Sequence, residues 1–205
     1  TASKKVLIKR AALSSQQQLS LITSNLGEKI DNISNYAITL SINSNIADVL
    51  KENPTVPENT LEHFLVNSEL TDQAQRIIGL HKNIYAWDIL DTENHWFHSS
   101  TTETDQLDSI LGPEVLDSLQ TNLAFQFLGP FQISGEPTFV ALKSITNIDN
   151  TKYLGALVLL IRETNISSAF RDLPKMDRYF PLLHPEVFIK TSHPIQKSVQ
   201  RIIKP

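Results

Sequence analysis

Two charged residues interrupt segments that are otherwise apolar, and they mark the places where this sequence could bind a partner molecule. Asp88 alternates with Ala86 and Leu90 in a strand-like segment, and Lys143 ends the apolar run Phe139–Lys143. A charge on an apolar strand costs free energy unless it is paired, so such a residue suggests a binding role. We predict both as ligand-binding residues. The alternative for Lys143 is that its stem crosses a sheet edge and its ammonium reaches water.

Aromatic, imidazole and amide side chains nearby in the predicted sheet could complete the wall of a pocket. A pocket of this kind, apolar with a few polar groups, suits a small molecule or a peptide. The two tryptophans could instead belong to the core. The remaining residues of the predicted wall are Trp87, Trp96, His98, Gln126 and Phe131.

The histidines do not form a recognisable metal site. His95 and His98 lie three residues apart with Glu93 nearby. In a strand, positions i and i+3 point to opposite faces, so the two imidazoles cannot readily hold one ion. We therefore predict no metal and no cofactor, and we expect the other four histidines to be surface or hydrogen-bonded residues.

No pattern for catalysis is present. The sequence contains no Gly-x-Ser-x-Gly elbow and no Gly-rich nucleotide loop, and only six glycines in all. The acidic pair Asp105 and Asp108 lies in a polar helical segment, where a solvated face is the simplest interpretation. We predict that the chain is not itself an enzyme.

The composition describes an ordinary globular protein with one good core. Of its 205 residues 40% are hydrophobic and 20% charged, and the net charge of −4 offers no basic footprint for nucleic acid. The absence of cysteine excludes disulfides and agrees with an extracytoplasmic location. No apolar run reaches the roughly 18 residues that cross a bilayer, and both ends look cut, so we expect a fragment of a longer protein.

Helical segments come first along the chain. Apolar residues recur in steps of three and four from Leu19 to Leu40, which predicts one helix over Ala12–Lys51, about 60 Å long at 1.5 Å per residue. Glu52-Asn53-Pro54 should end it. A second helix is predicted from a cap at Asn59 or Thr60 to Lys82. Its predicted apolar face is Leu61, Phe64, Leu65, Leu70, Ala74, Ile77, Ile78 and His81.

Strand patterns follow the helices. Strands are predicted at Ile84–Leu90, His95–Ser99, Ala124–Leu128, Phe139–Ile148 and Tyr153–Arg162, with one or two short helices over Leu107–Gln120 broken at Gly112-Pro113 and a loop from Gly129-Pro130 to Pro137. A short helix at Asn165–Phe170, a strand at Glu186–Thr191 and a helix at Ile195–Ile203 complete the prediction. This order indicates an α+β fold with a five-stranded antiparallel sheet.

This order of elements resembles the extracytoplasmic Cache sensor domain, a PAS-like fold, of YesM-like bacterial sensor histidine kinases. The resemblance covers residues 12–170. It rests on the end of the long helix (Ile42–Leu50), on Asn83–Asp91, on Phe127-Leu128-Gly129-Pro130 and on the closing strand Leu154–Ile161 leading into Ile166–Phe170. The family's aromatic-Arg-Trp-Tyr motif for amino acids is not recognisable here, so amino-acid recognition is not implied.

The resemblance implies three parts and a function. The parts are a signalling and dimerisation helix (1–55), a sensor lobe (56–170) and a small membrane-proximal lobe or remnant (171–205). The implied function is the extracellular sensing domain of a transmembrane histidine kinase, anchored by membrane spans outside this sequence. We expect the apolar stripe of the long helix to pair with a second copy.

Two other functions remain open at this stage. The lobe could be an interaction module that docks a protein or peptide and has no small ligand, in which case side chains would fill the sheet face completely. It could also be the sensor of a chemoreceptor or a cyclase, which differs only in the cytoplasmic part.

Overall fold

The computed structural model of this chain describes residues 2–53, 56–79, 83–99, 104–147, 149 and 152–168. The strand and helix predicted after residue 171, and the predicted third part of the chain, lie outside these residues. The elements in order are α1 (Ala2–Ser41), α2 (Ser44–Glu52), α3 (Leu61–Ile78), β1 (Ala86–Asp91), β2 (Trp96–His98), α4 (Thr104–Ile110), α5 (Pro113–Asn122), β3 (Gln126–Ile133), β4 (Glu136–Thr146), β5 (Tyr153–Arg162) and α6 (Glu163–Ser167).

The long N-terminal helix exists, but its predicted bounds are wrong at both ends. It has 40 residues, begins at Ala2 rather than Ala12, and ends at Ser41 rather than Lys51. The chain leaves the helix because Asn43 adopts an extended conformation and its side chain accepts a hydrogen bond from the amide of Ile46 at 3.1 Å. This hydrogen bond makes Asn43 the N-cap of α2, which is therefore a separate helix.

The apolar stripe of α1 packs inside the chain instead of facing a second copy. Ile30, Ile33, Ala37 and Leu40 are each no more than 4% exposed and belong to the core that α1 shares with the sheet. The expected pairing of this stripe with a second chain is therefore wrong for this part of α1, since burial against the sheet already uses it. Self-association through α1 stays a prediction for its earlier residues, among which Leu13 and Leu21 are exposed.

The helix α3 has the predicted cap, but its buried face differs from the predicted one. The hydroxyl of Thr60 accepts a hydrogen bond from the amide of His63 at 3.1 Å. Its buried residues follow a four-residue spacing, Val66, Leu70, Ala74 and Ile78. The predicted face was wrong over the first two turns, where Leu61, Phe64 and Leu65 are 58–75% exposed, because they lie outside this four-residue row.

The five strands form one antiparallel sheet in the order β2-β1-β5-β4-β3. Helices at one end of the sequence and an antiparallel sheet after them make the α+β architecture that the sequence predicted. The central strand β5 has the predicted bounds, and Leu154–Ile161 are all buried, as a strand covered on both faces should be.

The sheet separates two cores. On one side, which we call the α1/α3 face, α1, α2 and α3 pack over residues such as Ile89, Ala141 and Leu157. On the other side, which we call the α4/α5 face, α4 and α5 pack over residues such as Val140 and Val158. Successive residues of a strand point to opposite faces, so each strand contributes to both cores.

The strand β3 continues through the Gly129-Pro130 step, where the sequence predicted a loop. The register shifts between Leu128 and Phe131, as in a β-bulge. Gly129 has φ +112°, which a residue with a side chain rarely adopts. Because β3 is an edge strand, the missing N–H of Pro130 does not interrupt the centre of the sheet.

The other edge strand, β2, is covered by side chains from α3. His63 Nε2 lies 3.0 Å from the carbonyl oxygen of Trp96, and the Asn67 side chain exchanges hydrogen bonds with the amide and the carbonyl of His98. These two residues, together with Glu58, whose carboxylate accepts from the Trp96 amide at 3.3 Å, bind outer backbone groups of β2 that would otherwise be open for pairing. His63 also stacks on Phe97 with ring centroids 4.8 Å apart.

The predicted break at Gly112-Pro113 separates α4 from α5, and α6 begins directly after β5, two residues before the predicted start. Among the described residues, no helix combines the length and the apolar character that crossing a membrane requires.

A substitution of Gly155 should destabilise the fold. A Cβ atom at this position would lie 2.5 Å from the carbonyl oxygen of Leu90 in the paired strand β1. We expect Gly155→Ala to lower the free energy of unfolding by about 2 kcal/mol or more, because β1 and β5 must separate. Urea titration followed by circular dichroism measures this. Gly112→Ala is the matched control, since nothing lies within 4 Å of its added Cβ. A loss equal in the two variants would contradict the prediction.

Candidate ligand-binding face

Three predicted site residues meet on the α4/α5 face, at the end of the sheet formed by β1 and β2. Asp88 lies between Ala86 and Leu90, which both belong to the core on this face. The strand register pairs Asp88 with His98, and Trp96 is also buried in this core. The hairpin therefore places a carboxylate, an imidazole and an indole on the same side.

Asp88 and His98 form a close hydrogen-bonded pair. His98 Nδ1 lies 2.7 Å from Asp88 Oδ1, and Asp88 is completely buried while the imidazole is 24% exposed. A buried carboxylate needs such partners, because its transfer from water is otherwise costly. The pair therefore links a buried carboxylate to an imidazole that is partly exposed to solvent.

Trp96 joins this pair to the helix α4. Its ring stacks on His98 with centroids 5.8 Å apart and an interplanar angle of 15°. Its Nε1–H donates to Asp108 Oδ1 at 2.9 Å. Asp108 is exposed, as the interpretation of a solvated face predicted, but its carboxylate also binds the N–H of an indole that is 4% exposed. No local signal could reveal this contact, because it depends on how α4 crosses the sheet.

His95 pairs with a different carboxylate. Asp91 Oδ1 accepts from the amides of Glu93 and His95, both at 2.8 Å, and Asp91 Oδ2 lies 3.1 Å from His95 Nδ1. Asp91 therefore builds the predicted β1–β2 turn. His95 and His98 are thus paired with different aspartates. The part of the chain whose side chains are described contains no group of three potential metal ligands.

The charge of Asp91 also acts on Tyr153. Burial first, and then the nearby Asp91 carboxylate, raise the pKa of Tyr153 to about 12. Both effects disfavour the phenolate anion, so Tyr153 is a neutral phenol at the edge of this region.

Gln126 and Phe131 lie on the same face at the far edge of the sheet. The Gln126 amide donates to the hydroxyl of Ser118 on α5 at 3.1 Å, and Phe131 packs against the core on this side. Three strand spacings separate β1 from β3, or about 14 Å. These two residues are therefore not next to the Asp88–His98 pair, although one extended ligand could contact both.

Trp87 and Lys143 face the other way. Trp87 belongs to the core of the α1/α3 face, and Lys143 lies between Ala141 and Ile145, which point to that face. The Lys143 ammonium donates to the carbonyl of Leu123, which follows α5, and burial lowers the pKa of Lys143. The interpretation of Lys143 as a sheet-edge residue is wrong, because β4 is an inner strand and the ammonium binds a carbonyl instead of reaching water. Neither Trp87 nor Lys143 lies on the face that carries Asp88.

The α4/α5 face thus combines an acidic, aromatic end with an apolar floor. The floor consists of Val140, Leu142, Val158 and Leu160, each fully buried. These four side chains are covered by apolar residues of α4 and α5, such as Leu107 and Leu119. What this face shows to solvent at its polar end is the partly exposed imidazole of His98.

No protein-family model matches this chain, and no curated protein matches it either. Solved structures do. The extracellular domain of vpHK1S-Z8, which is described as a histidine kinase, gives a TM-score of 0.54 at 17% identity over 78% of this chain and 62% of that one. The sensor domain of the V. cholerae histidine kinase DctB gives 0.56 at 15% identity over 80% and 61%.

A third structure is the ligand-binding domain of the Campylobacter jejuni chemoreceptor Tlp3, which was solved in complex with L-valine. It gives a TM-score of 0.56 at 14% identity over 83% of this chain and 67% of that one. This chain spans about three fifths of the two kinase domains. At these identities the likeness establishes the fold: the chain has the α+β fold of extracellular sensor domains.

Tyr153 gives a prediction for alkaline pH. Its folded pKa of about 12 lies above the ordinary value of 10, so its contribution to stability is complete below pH 10 and lost as the pH rises to 12. Tyr153 is partly exposed, and after discounting for solvent screening we expect a loss of about 1–2 kcal/mol.

The measurement is urea unfolding between pH 9 and pH 12 for the wild type and Tyr153→Phe. The variant should lose less stability than the wild type over this interval, because it has no phenol to ionise. Equal losses in both proteins would contradict the environment described for Tyr153.

Proposed function

We propose that this chain is the extracytoplasmic sensing domain of a transmembrane receptor, specifically a histidine kinase of the YesM-like group. The observation that carries the proposal is the division of the sheet: one face packs on a 40-residue helix, and the other holds a buried Asp–His pair beneath short helices. The fold shared with the sensor domains of two histidine kinases supports it. A chemoreceptor sensor would have the same role with a different output.

The proposed ligand is a small molecule or a peptide that binds on the α4/α5 face. Asp88, Trp96 and His98 are its proposed first contacts, and Gln126 and Phe131 would contact the far end of a longer ligand. The complex of Tlp3 with L-valine supports a small ligand in this fold. The ligand of this chain would be selected by its own residues, and the polar end of the proposed site carries the Asp88 carboxylate. The receptor would be held in the membrane by segments outside this sequence.

The path from the sheet to the long helix is proposed to run through α6. Residue Arg162 ends β5 and α6 begins at the next residue. Lys29 of α1 donates to the carbonyl of Asn165 at 2.7 Å and lies 3.0 Å from the hydroxyl of Ser168. A displacement of β5 by ligand would therefore be passed to α1 through these contacts, provided that the ligand prefers one of two arrangements.

An interaction module without a small ligand is the second candidate. It is favoured by the exposed row Leu61, Phe64 and Leu65 on α3, where three large apolar side chains face solvent. A partner protein that binds there would not need a ligand on the α4/α5 face.

A ligand screen tests the first proposal. The chain is heated with sugars, organic acids and peptides, and a ligand at 100 times its Kd should add about 2.7 kcal/mol of stability, or roughly 5–10 °C. Asp88→Asn keeps the shape of the side chain but removes its charge, and we expect it to weaken binding at least tenfold.

Glu69→Gln is the matched control, because it removes a charge from an exposed residue of α3 on the opposite face, and it should leave the Kd unchanged. A Kd that Asp88→Asn leaves unchanged would contradict a site on the α4/α5 face. A screen in which no compound binds would favour the interaction module.

The Lys29 contacts can be tested separately. We expect Lys29→Met to accelerate amide exchange in α6 by about five- to tenfold, since it removes charge-assisted hydrogen bonds. Lys51→Met, in the exposed last turn of α2, is the control. Hydrogen exchange followed by mass spectrometry measures both. Exchange in α6 that is the same in the two variants would contradict a mechanical link between α6 and α1.

A further inference from the structure

The two helices on the α4/α5 face are attached to the sheet in different ways. The last turn of α5 is held from below by β4: the Ser144 hydroxyl donates to the carbonyl of Leu119 at 2.5 Å, and the Lys143 ammonium donates to the carbonyl of Leu123. Leu119 itself is fully buried. The helix α5 is therefore fixed by polar contacts that the central part of the sheet makes with its C-terminal carbonyls.

The helix α4 has seven residues, and its described attachment is narrower. Leu107 is fully buried and Leu111, just beyond the helix, is 3% exposed, so one apolar row faces the sheet. Among the side chains of α4 that the structure describes, Asp108 makes a polar contact, accepting the hydrogen bond from Trp96. Because the acceptor is exposed and the donor is buried, this bond lies at the rim of the covered region.

The junction between the two helices allows α4 to move by itself. Pro113 occupies the first turn of α5 and has no N–H, so a continuous helix through this point is interrupted. Gly112 has no atom within 4 Å of the position where a Cβ would stand. Its carbonyl oxygen accepts hydrogen bonds from the amides of Val115 and Leu116 at 2.9 and 3.3 Å, so it belongs to the first turn of α5. Rotation about the N–Cα bond of Gly112 moves α4 relative to α5 while this oxygen keeps both bonds.

Trp96 connects this junction to the polar pair. The indole that binds Asp108 through Nε1 also stacks on His98, and His98 is bound to Asp88. A molecule that displaces the His98 imidazole removes the ring on which the indole stacks. The hydrogen bond to α4 then changes with the occupancy of the pair.

We propose that α4 is a lid that pivots at Gly112 and is held closed by the Trp96–Asp108 hydrogen bond, and that opening of this lid admits the ligand to the Asp88–His98 pair. The access role rests on the proposed sensing function. The motion itself does not, so it is tested without any ligand.

The test compares Asp108→Ala with Asp108→Asn in the full chain by hydrogen exchange and mass spectrometry. Alanine removes the acceptor, whereas asparagine keeps an oxygen at the same position and serves as the matched control. We expect Asp108→Ala to accelerate exchange at residues 107–111 by about five- to tenfold, with α5 unchanged and Asp108→Asn close to the wild type.

Fluorescence provides a second readout. In a Trp87→Phe background Trp96 is the remaining tryptophan, and its quenching by acrylamide should rise at least twofold on Asp108→Ala. Unchanged exchange at 107–111 would overturn the proposal, and so would equal acceleration of α4 and α5, since the two helices would then open as one unit. A ligand screen without a hit would contradict the sensing function and leave the exchange result standing.

Discussion

The alternation of side chains along β1 is the constraint on which the rest of this structure depends. Trp87 and Ile89 point into the core beneath α1 and α3, while Asp88 between them points to the opposite face. A shift of one residue would bury the tryptophan among the short helices and press the carboxylate against the long one. The register is held by the central strand β5, where Gly155 leaves room for the carbonyl of Leu90. One strand thus gives apolar side chains to the core beneath α1 and places the Asp88 carboxylate on the opposite face.

The sequence was sufficient for those elements whose signals are local. The strand Tyr153–Arg162 has its predicted bounds because continuous apolar character needs no partner to be recognised, and the Thr60 cap rests on one side chain and one amide. The break after Ser41 was missed because a single asparagine within a helical pattern does not by itself predict a break. The hydrogen bond from the Ile46 amide to the Asn43 side chain shows where the next helix begins. The buried face of α3 was predicted wrongly because a periodicity counts Leu and Phe as apolar whether they are buried or exposed.

The candidate site was predicted in part, for a related reason. Asp88 stands out in sequence because it is a charge within an apolar strand, and its partner His98 lies directly opposite in a hairpin. Lys143 also stands out as a charge in an apolar run, but it lies on the face opposite to Asp88, since alternation within β4 does not say which face of the sheet carries which helices. The contact between Trp96 and Asp108 could not be foreseen, because it depends on where α4 crosses the sheet.

The most direct test of the two-faced sheet is hydrogen exchange of the full chain with and without the compound that most raises its melting temperature. We expect strong protection at β1, β2 and α4, together with a smaller change in α6 and in α1 around Lys29, where the two are bonded. Protection that falls on α2 and α3, with α4 and β2 unchanged, would contradict this expectation, because the ligand would then occupy the face on which α1 packs.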